Sequence, residues 1–234
     1  MGEPYTPASV AAKLDHAVLK PQQTDRELAA AAAMCRSLGV GCLCVRPADV
    51  PAAVDLVADS SITIASVVGF PHGSHATLTK VTEASEAIAA GSRELDMVLS
   101  IGALRSGRLR DVLDDIAGVV AVAKPAGVLV KVILETCFLS PQEIIHGCQL
   151  AEDAGADFVK TSTGFGPAGA TPEAVALMLT TVGGRLGVKA SGGIRDWQTC
   201  VHYLQMGCQR IGVGDAAAIL CQKNGQGRDE QRAY

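Results

Sequence analysis

Residues 151–162 read AEDAGADFVKTS. An amphipathic run closes, Gly155 stops it, a two-residue link turns the chain, and an apolar run carrying Lys160 begins. The same design stands at 87–98 (AIAAGSRELDMV) and at 203–213 (YLQMGCQRIGV). A glycine ends each helix because a residue without a Cβ enters the left-handed cap conformation at little cost. Recurring helix–glycine–strand phrases with continuous apolar strands point to a parallel sheet covered by helices. Working outward, strands are expected at 13–18, 41–45, 62–70, 94–100, 128–134, 157–162, 187–192 and 210–214. Helices are expected at 24–38, 48–58, 75–90, 108–123, 141–154, 172–183 and 196–206. Thr24, Ser140-Pro141 and Thr171-Pro172 are good helix starts, since a hydroxyl caps free N–H groups and proline fits the first turn. Eight such units in 234 residues favour one α/β domain, a single (β/α)8 TIM barrel over 1–221. A doubly wound open sheet is the second choice, disfavoured because no G-x-G-x-x-G follows the first strand. The last stretch, QKNGQGRDEQRAY (222–234), is polar and reads as a flexible tail.

Composition narrows the function classes. Hydrophobic residues make up 48% and aromatics only 3%, so the core is built from Ala, Val, Leu and Ile. With a net charge of −4 and no Lys/Arg cluster, neither a nucleic-acid footprint nor a basic membrane face is present. There is no signal-peptide layout and no apolar run long enough to span a bilayer. The eight cysteines lie mostly inside apolar patterns and read as buried thiols of a reducing compartment, which implies a cytoplasmic protein. Cys42 and Cys44 form a C-x-C, but no partner pair follows at metal-site spacing, so no metal is expected.

Four consecutive strands carry a charge inside an apolar run: Asp96, Lys131, Lys160 and Lys189. A charge in a packed barrel costs several kcal/mol, roughly, unless it is paired or solvated. Strand alternation puts Lys131, Ile133 and Glu135 on one face. Lys160, Lys189, Asp96 and Glu135 fall near the strand ends where barrel active sites form. A structural ion network is the plain explanation. Three amines converging with acids also repel one another, and repulsion with desolvation favours one neutral amine. A neutral amine near pH 7 is what imine formation with a carbonyl needs. This reasoning does not by itself say which lysine is the nucleophile.

The segments LDHAVLKP (14–21), VGFPHG (68–73), ELDMV (94–98), VKVILET (130–136), AGADFVKTSTGF (154–165) and VKASGGIRD (188–196) resemble the deoxyribose-phosphate aldolase family, in order and over nearly the whole chain. The resemblance implies reversible cleavage of 2-deoxyribose 5-phosphate to glyceraldehyde 3-phosphate and acetaldehyde, with no metal and no organic cofactor. It implies that Lys160 forms the Schiff base, that Lys189 lowers its pKa, and that Asp96 relays protons. Asp15 and Lys131 match further polar members of the site. It also suggests a homodimer or homotetramer acting on small aldehydes and sugar phosphates. Glycine-rich strand ends suit a phosphate: Gly192 and Gly193, Gly212 and Gly214, with Thr163 and Gly164 as further donors.

Some positions depart from the pattern. Gly214-Asp215 stands where small hydroxyl residues are common, so a lost donor and an added anion should weaken phosphate binding, with Asp215 capping the last helix instead. Ala17 replaces a frequent threonine. Cys44 either packs in the core or faces the site, where it could add to unsaturated aldehydes. Tyr234 ends the tail and either enters the site to assist proton transfer or is inert. Competing readings are another Schiff-base sugar or keto-acid aldolase, and a non-catalytic barrel that binds a sugar phosphate.

Overall fold

The computed structural model describes residues 5–222. Eight strands, β1 (Leu14–Val18), β2 (Cys42–Val45), β3 (Thr63–Val68), β4 (Glu94–Val98), β5 (Leu129–Ile133), β6 (Phe158–Lys160), β7 (Gly187–Ser191) and β8 (Arg210–Val213), run in chain order around a closed barrel. All pairings are parallel, and β8 returns to β1 through Leu14↔Ile211 and Asp15↔Gly212, so the sheet is closed and not doubly wound. Outside it lie α1 (Pro7–Ala11), α2 (Asp25–Leu38), α3 (Val50–Val57), α4 (Thr77–Ala89), α5 (Ile101–Arg105), α6 (Leu109–Ala123), α7 (Pro141–Asp153), α8 (Pro172–Val182), α9 (Trp197–Met206) and α10 (Ala216–Gln222).

The expected caps hold the main helices. Thr24 with Glu27 and Ser140 with Glu143 form reciprocal capping boxes, and Thr171 accepts from the Ala174 N–H. α1 and α5 are absent from the sequence expectation, because five-residue helices are too short to show a helical period. α1 underlies the barrel: its Ala11 carbonyl accepts from Gly41 N at 3.0 Å. The expected strand 157–162 stops at Lys160, because hydroxyls take over the ladder. Thr161 Oγ1 donates to the Ser191 carbonyl at 2.9 Å and accepts from Ser191 N at 3.0 Å, while Ser191 Oγ donates to the Ser162 carbonyl. Gln222, assigned to the tail by sequence, belongs to α10, and its side chain accepts from Trp197 N. The rest of that tail, Tyr234 included, lies outside the described residues.

The alternating pattern divides the core into two. Outward residues such as Leu43, Ile64, Leu95, Met97, Val130 and Val159 form one large apolar layer against the helices. Inside the barrel a small separate cluster, Leu19, Cys42, Cys44, Ala65 and Val67, fills the side built by β1–β3. The other side, from β4 round to β8 together with Asp15 of β1, holds ions.

Candidate active site

Register brings the interior charges together. Lys160 pairs with Lys189 across β6–β7, and Lys189 with Arg210 across β7–β8, which sets three cations in a row on one face. Across the barrel stand three carboxylates, Asp15, Glu94 and Asp96. Asp96 is the junction: Oδ2 accepts from Lys160 Nζ at 2.7 Å and Lys189 Nζ at 2.8 Å, and Oδ1 from Lys131 Nζ at 2.7 Å. Asp15 takes Lys189 on one oxygen and Arg210 at 2.8 Å on the other. Glu94 pairs with Lys131 at 2.5 Å and with Arg210 at 2.6 Å. Four potential cations thus face three anions, and charge balance in this dry interior favours one neutral amine.

Of the three interior lysines, Lys160 is the one shifted towards the neutral form. Burial pushes its pKa down; Asp96 opposes, and the neighbouring Lys189 charge pushes it down further. Burial also acts against charge on Lys189, but Asp15 and Asp96 outweigh it and hold the ammonium firmly protonated. The same holds for Lys131, where Asp96 and Asp15 prevail over burial. Burial pushes Asp15 up, yet Lys189, Lys131 and Arg210 hold it at about 2. Asp96, likewise opposed by burial, is held well below the usual carboxylate range by Lys131, Lys160 and Lys189. So the lysines are not equivalent: two are fixed cations and one is tuned towards the free base.

Lys160 opens into a cavity of about 630 Å³ at the C-terminal mouth of the barrel. Asp15, Lys189, Thr163, Gly164, Gly192, Gly193, Gly212 and Gly214 share its lining with Lys160. Asp96 and Lys131 lie beneath that surface and are fully buried. Gly192 and Gly193 have positive φ values of 86° and 77°, which only glycine adopts freely, and they shape the rim. Gly212 serves space: a Cβ there would lie 2.8 Å from Ser191 Cβ and 3.2 Å from Lys189 Cε. Asp215 caps α10, its Oδ1 accepting from Ala218 N at 2.9 Å, and the Ala216 N–H is turned to His16 Nδ1 at 3.4 Å. Cys44 faces the cavity, and burial, with Asp96 adding, pushes its thiol up to about 11, which disfavours the thiolate.

One expectation needs correction. Glu135 does not join the lysines; it adopts the left-handed region at φ 58° and binds Thr163 instead. The acids that neutralise the lysines, besides Asp96, are Asp15 and Glu94. Glu94 and Arg210, the first residues of β4 and β8, were missed. Lys20 and Arg195, which also line the cavity mouth, were missed as well, since exposed loop cations carry no anomaly in a sequence. Arg46 pins the loop that bears Lys20: it donates to the carbonyls of Lys20, Pro21 and Gln23 and pairs with Asp49. Among the described residues, Asp15, Cys42 and Glu94 bring potential metal donors within 4.8 Å of one another. Both carboxylates are already paired with lysine and arginine, and burial raises the Cys42 thiol far above its ordinary value, so this donor set is an ion-pair core.

The family model described as DeoC/LacD family aldolase matches residues 9–214. A deoxyribose-phosphate aldolase of Nocardia farcinica is 47% identical over 216 residues, covering 92% of this chain and 95% of the relative. That of Caldanaerobacter subterraneus subsp. tengcongensis is 44% identical over 220 residues, covering 94% and 95%. Among solved structures, the tetrameric deoxyribose phosphate aldolase of Aeropyrum pernix superposes with a TM-score of 0.88 at 30% identity, over 94% of this chain and 92% of its own. A lysine tuned towards the free base at the mouth of a parallel barrel and these full-length likenesses lead to one assignment: the chain belongs to the DeoC/LacD family of aldolases.

Proposed function

We propose that this chain cleaves 2-deoxy-D-ribose 5-phosphate reversibly to D-glyceraldehyde 3-phosphate and acetaldehyde, with Lys160 as the nucleophile. The observation that carries the reading is the Lys160 amine: buried, depressed in pKa, hydrogen-bonded to Asp96 through one N–H, and open to the cavity. A neutral amine donating to Asp96 keeps its lone pair for the C1 carbonyl of the open-chain sugar. Loss of water gives the imine, which draws the C2–C3 bonding pair into an enamine as the C3 hydroxyl releases its proton and becomes the aldehyde of the three-carbon product. Protonation at C2 and hydrolysis free acetaldehyde and restore the amine. Lys189 stays an ammonium, so it supplies the positive field that favours free Lys160. Asp96, bonded to both nitrogens, is a bridge along which protons pass between them. Asp15 and Lys131 hold Lys189 and Asp96 in register. Like other class I aldolases of the family, the enzyme uses a lysine imine in place of a metal.

Gly192, Gly193 and Gly214, flanked by Lys20 and Arg195, receive the phosphate end, with Thr163 and Gly164 closing the wall. Asp215 sets a carboxylate against that end, and the first α10 N–H groups are already taken by His16 and Asp215. Preference for the phosphate ester is therefore reduced. Turnover of deoxyribose 5-phosphate and of deoxyribose tests this: the ratio of kcat/KM is expected below several thousand-fold, and Asp215→Ser should raise it about tenfold, the size of one screened like-charge contact. A ratio of several thousand-fold in the native chain, unmoved by the substitution, overturns the phosphate part of the reading.

The reading extends to a homodimer or homotetramer in the cytoplasm. It is supported by the tetrameric Aeropyrum relative, by exposed Leu78 and Phe138, and by eight free cysteines.

A further inference from the structure

Among the described residues, five acids are buried: Asp15, Glu94, Asp96, Asp115 and Glu135. The first three meet the interior lysines and Arg210, and Asp115 meets Lys80. Glu135 has no cation within ion-pair distance among the described residues. Its carboxylate, in a residue only 2% exposed, is held by neutral donors: Thr163 N at 3.3 and 3.4 Å, Thr163 Oγ1, and Cys137 Sγ at 3.7 Å. It is also the one non-glycine residue with positive φ among those described, at φ 58° and ψ 62°. A residue with a Cβ avoids that region unless its surroundings enforce it, and such strain gathers where geometry serves function.

What the strain obtains is a loop. The Thr163 hydroxyl donates a hydrogen bond to Glu135 and accepts from the Phe165 N–H at 3.0 Å. The Phe165 ring then meets Phe70, from the end of β3, edge to face with centroids 5.2 Å apart. β3 and β6 stand on different sides of the barrel, so the ring pair reaches across the mouth. Thr163, Gly164 and Phe165 form the wall beside Lys160.

We infer that Glu135 is a positioning residue: through Thr163 it fixes the 163–165 wall, and with it the bound pose of the sugar above Lys160. This rests on the aldolase reading and adds to it a residue that touches neither lysine. The pair Glu135→Asn and Glu135→Gln tests it. Asparagine tolerates the left-handed backbone but is too short to reach Thr163; glutamine keeps the reach and an acceptor oxygen. In Glu135→Asn, KM for deoxyribose 5-phosphate should rise about tenfold while kcat falls less than about threefold, and Glu135→Gln should recover most of the loss. Amide exchange in the peptide over 161–168 should quicken in Glu135→Asn alone, with the melting temperature not lowered. Unchanged exchange, or quickened exchange with an unchanged KM, overturns the inference; so does a lowered melting temperature with kcat and KM affected alike. If the native chain itself yields no acetaldehyde from the substrate, the aldolase reading fails first, and the exchange data still report on the loop.

Discussion

At the scale of single residues, the chemistry turns on the difference between Lys160 and Lys189. Both are buried and both touch the same Asp96 oxygen, but Lys189 also has Asp15 and Lys160 does not. That one extra carboxylate holds Lys189 as an ammonium, while Lys160 without it is shifted towards the free base. Lys189→Met should therefore raise the Lys160 pKa, because it removes a positive neighbour and leaves Asp96 less neutralised; both effects favour the ammonium. The pH at which imine formation with acetaldehyde reaches half its limit should move upward, read by borohydride trapping across pH. An unmoved or lowered midpoint would contradict the division of labour between the lysines. Lys131, Lys160, Lys189 and Asp96 were legible because a charge amid Val, Ile and Leu is an anomaly. Glu94 and Arg210 meet the same criterion, but each opens its strand, where a charge looks like the edge of a loop. Glu135 was legible as a polar residue at a strand end and not in its role, since its partner lies 28 residues on and its backbone turns it away from the lysines.

Among elements, the barrel's interior is fastened by pairs that skip across it. Arg210 on β8 reaches Asp15 on neighbouring β1 and Glu94 on β4, on a distant strand. Asp15 and Glu94 would keep Lys189 and Lys131, but removing Arg210 leaves one buried negative charge in excess, a change that costs about 3–5 kcal/mol. Arg210→Met should lower the free energy of urea unfolding by that order, and a loss under about 1 kcal/mol would show that the ring is not a structural tie. The element pattern was readable wherever caps and glycine stops recur, as at Thr24, Ser140 and Thr171. It failed where local chemistry overrides period: β6 ends early because threonine and serine hydroxyls replace its ladder, and α1 and α5 are too short for a helical stripe.

Over the whole molecule, a chain with few aromatics builds its outer core from small aliphatic residues and leaves the barrel's inside for function. One side of that inside is apolar and the other ionic, with Lys160 where the ionic side opens to the cavity. Barrel closure and the motif-bearing strand ends could be read from sequence because both repeat locally. The mouth could be read only in part: the glycines of its rim and Thr163 stand at strand ends, but Lys20, Arg195, Phe70 and Phe165 come from loops whose meeting only the closed barrel determines. The most direct measurement is reductive trapping: acetaldehyde, then borohydride, then peptide mapping by mass spectrometry. A single ethyl adduct on Lys160 is the predicted result. A folded protein with no adduct, or with the adduct on Lys189 or Lys131, would contradict the assignment of Lys160 as the imine-forming amine.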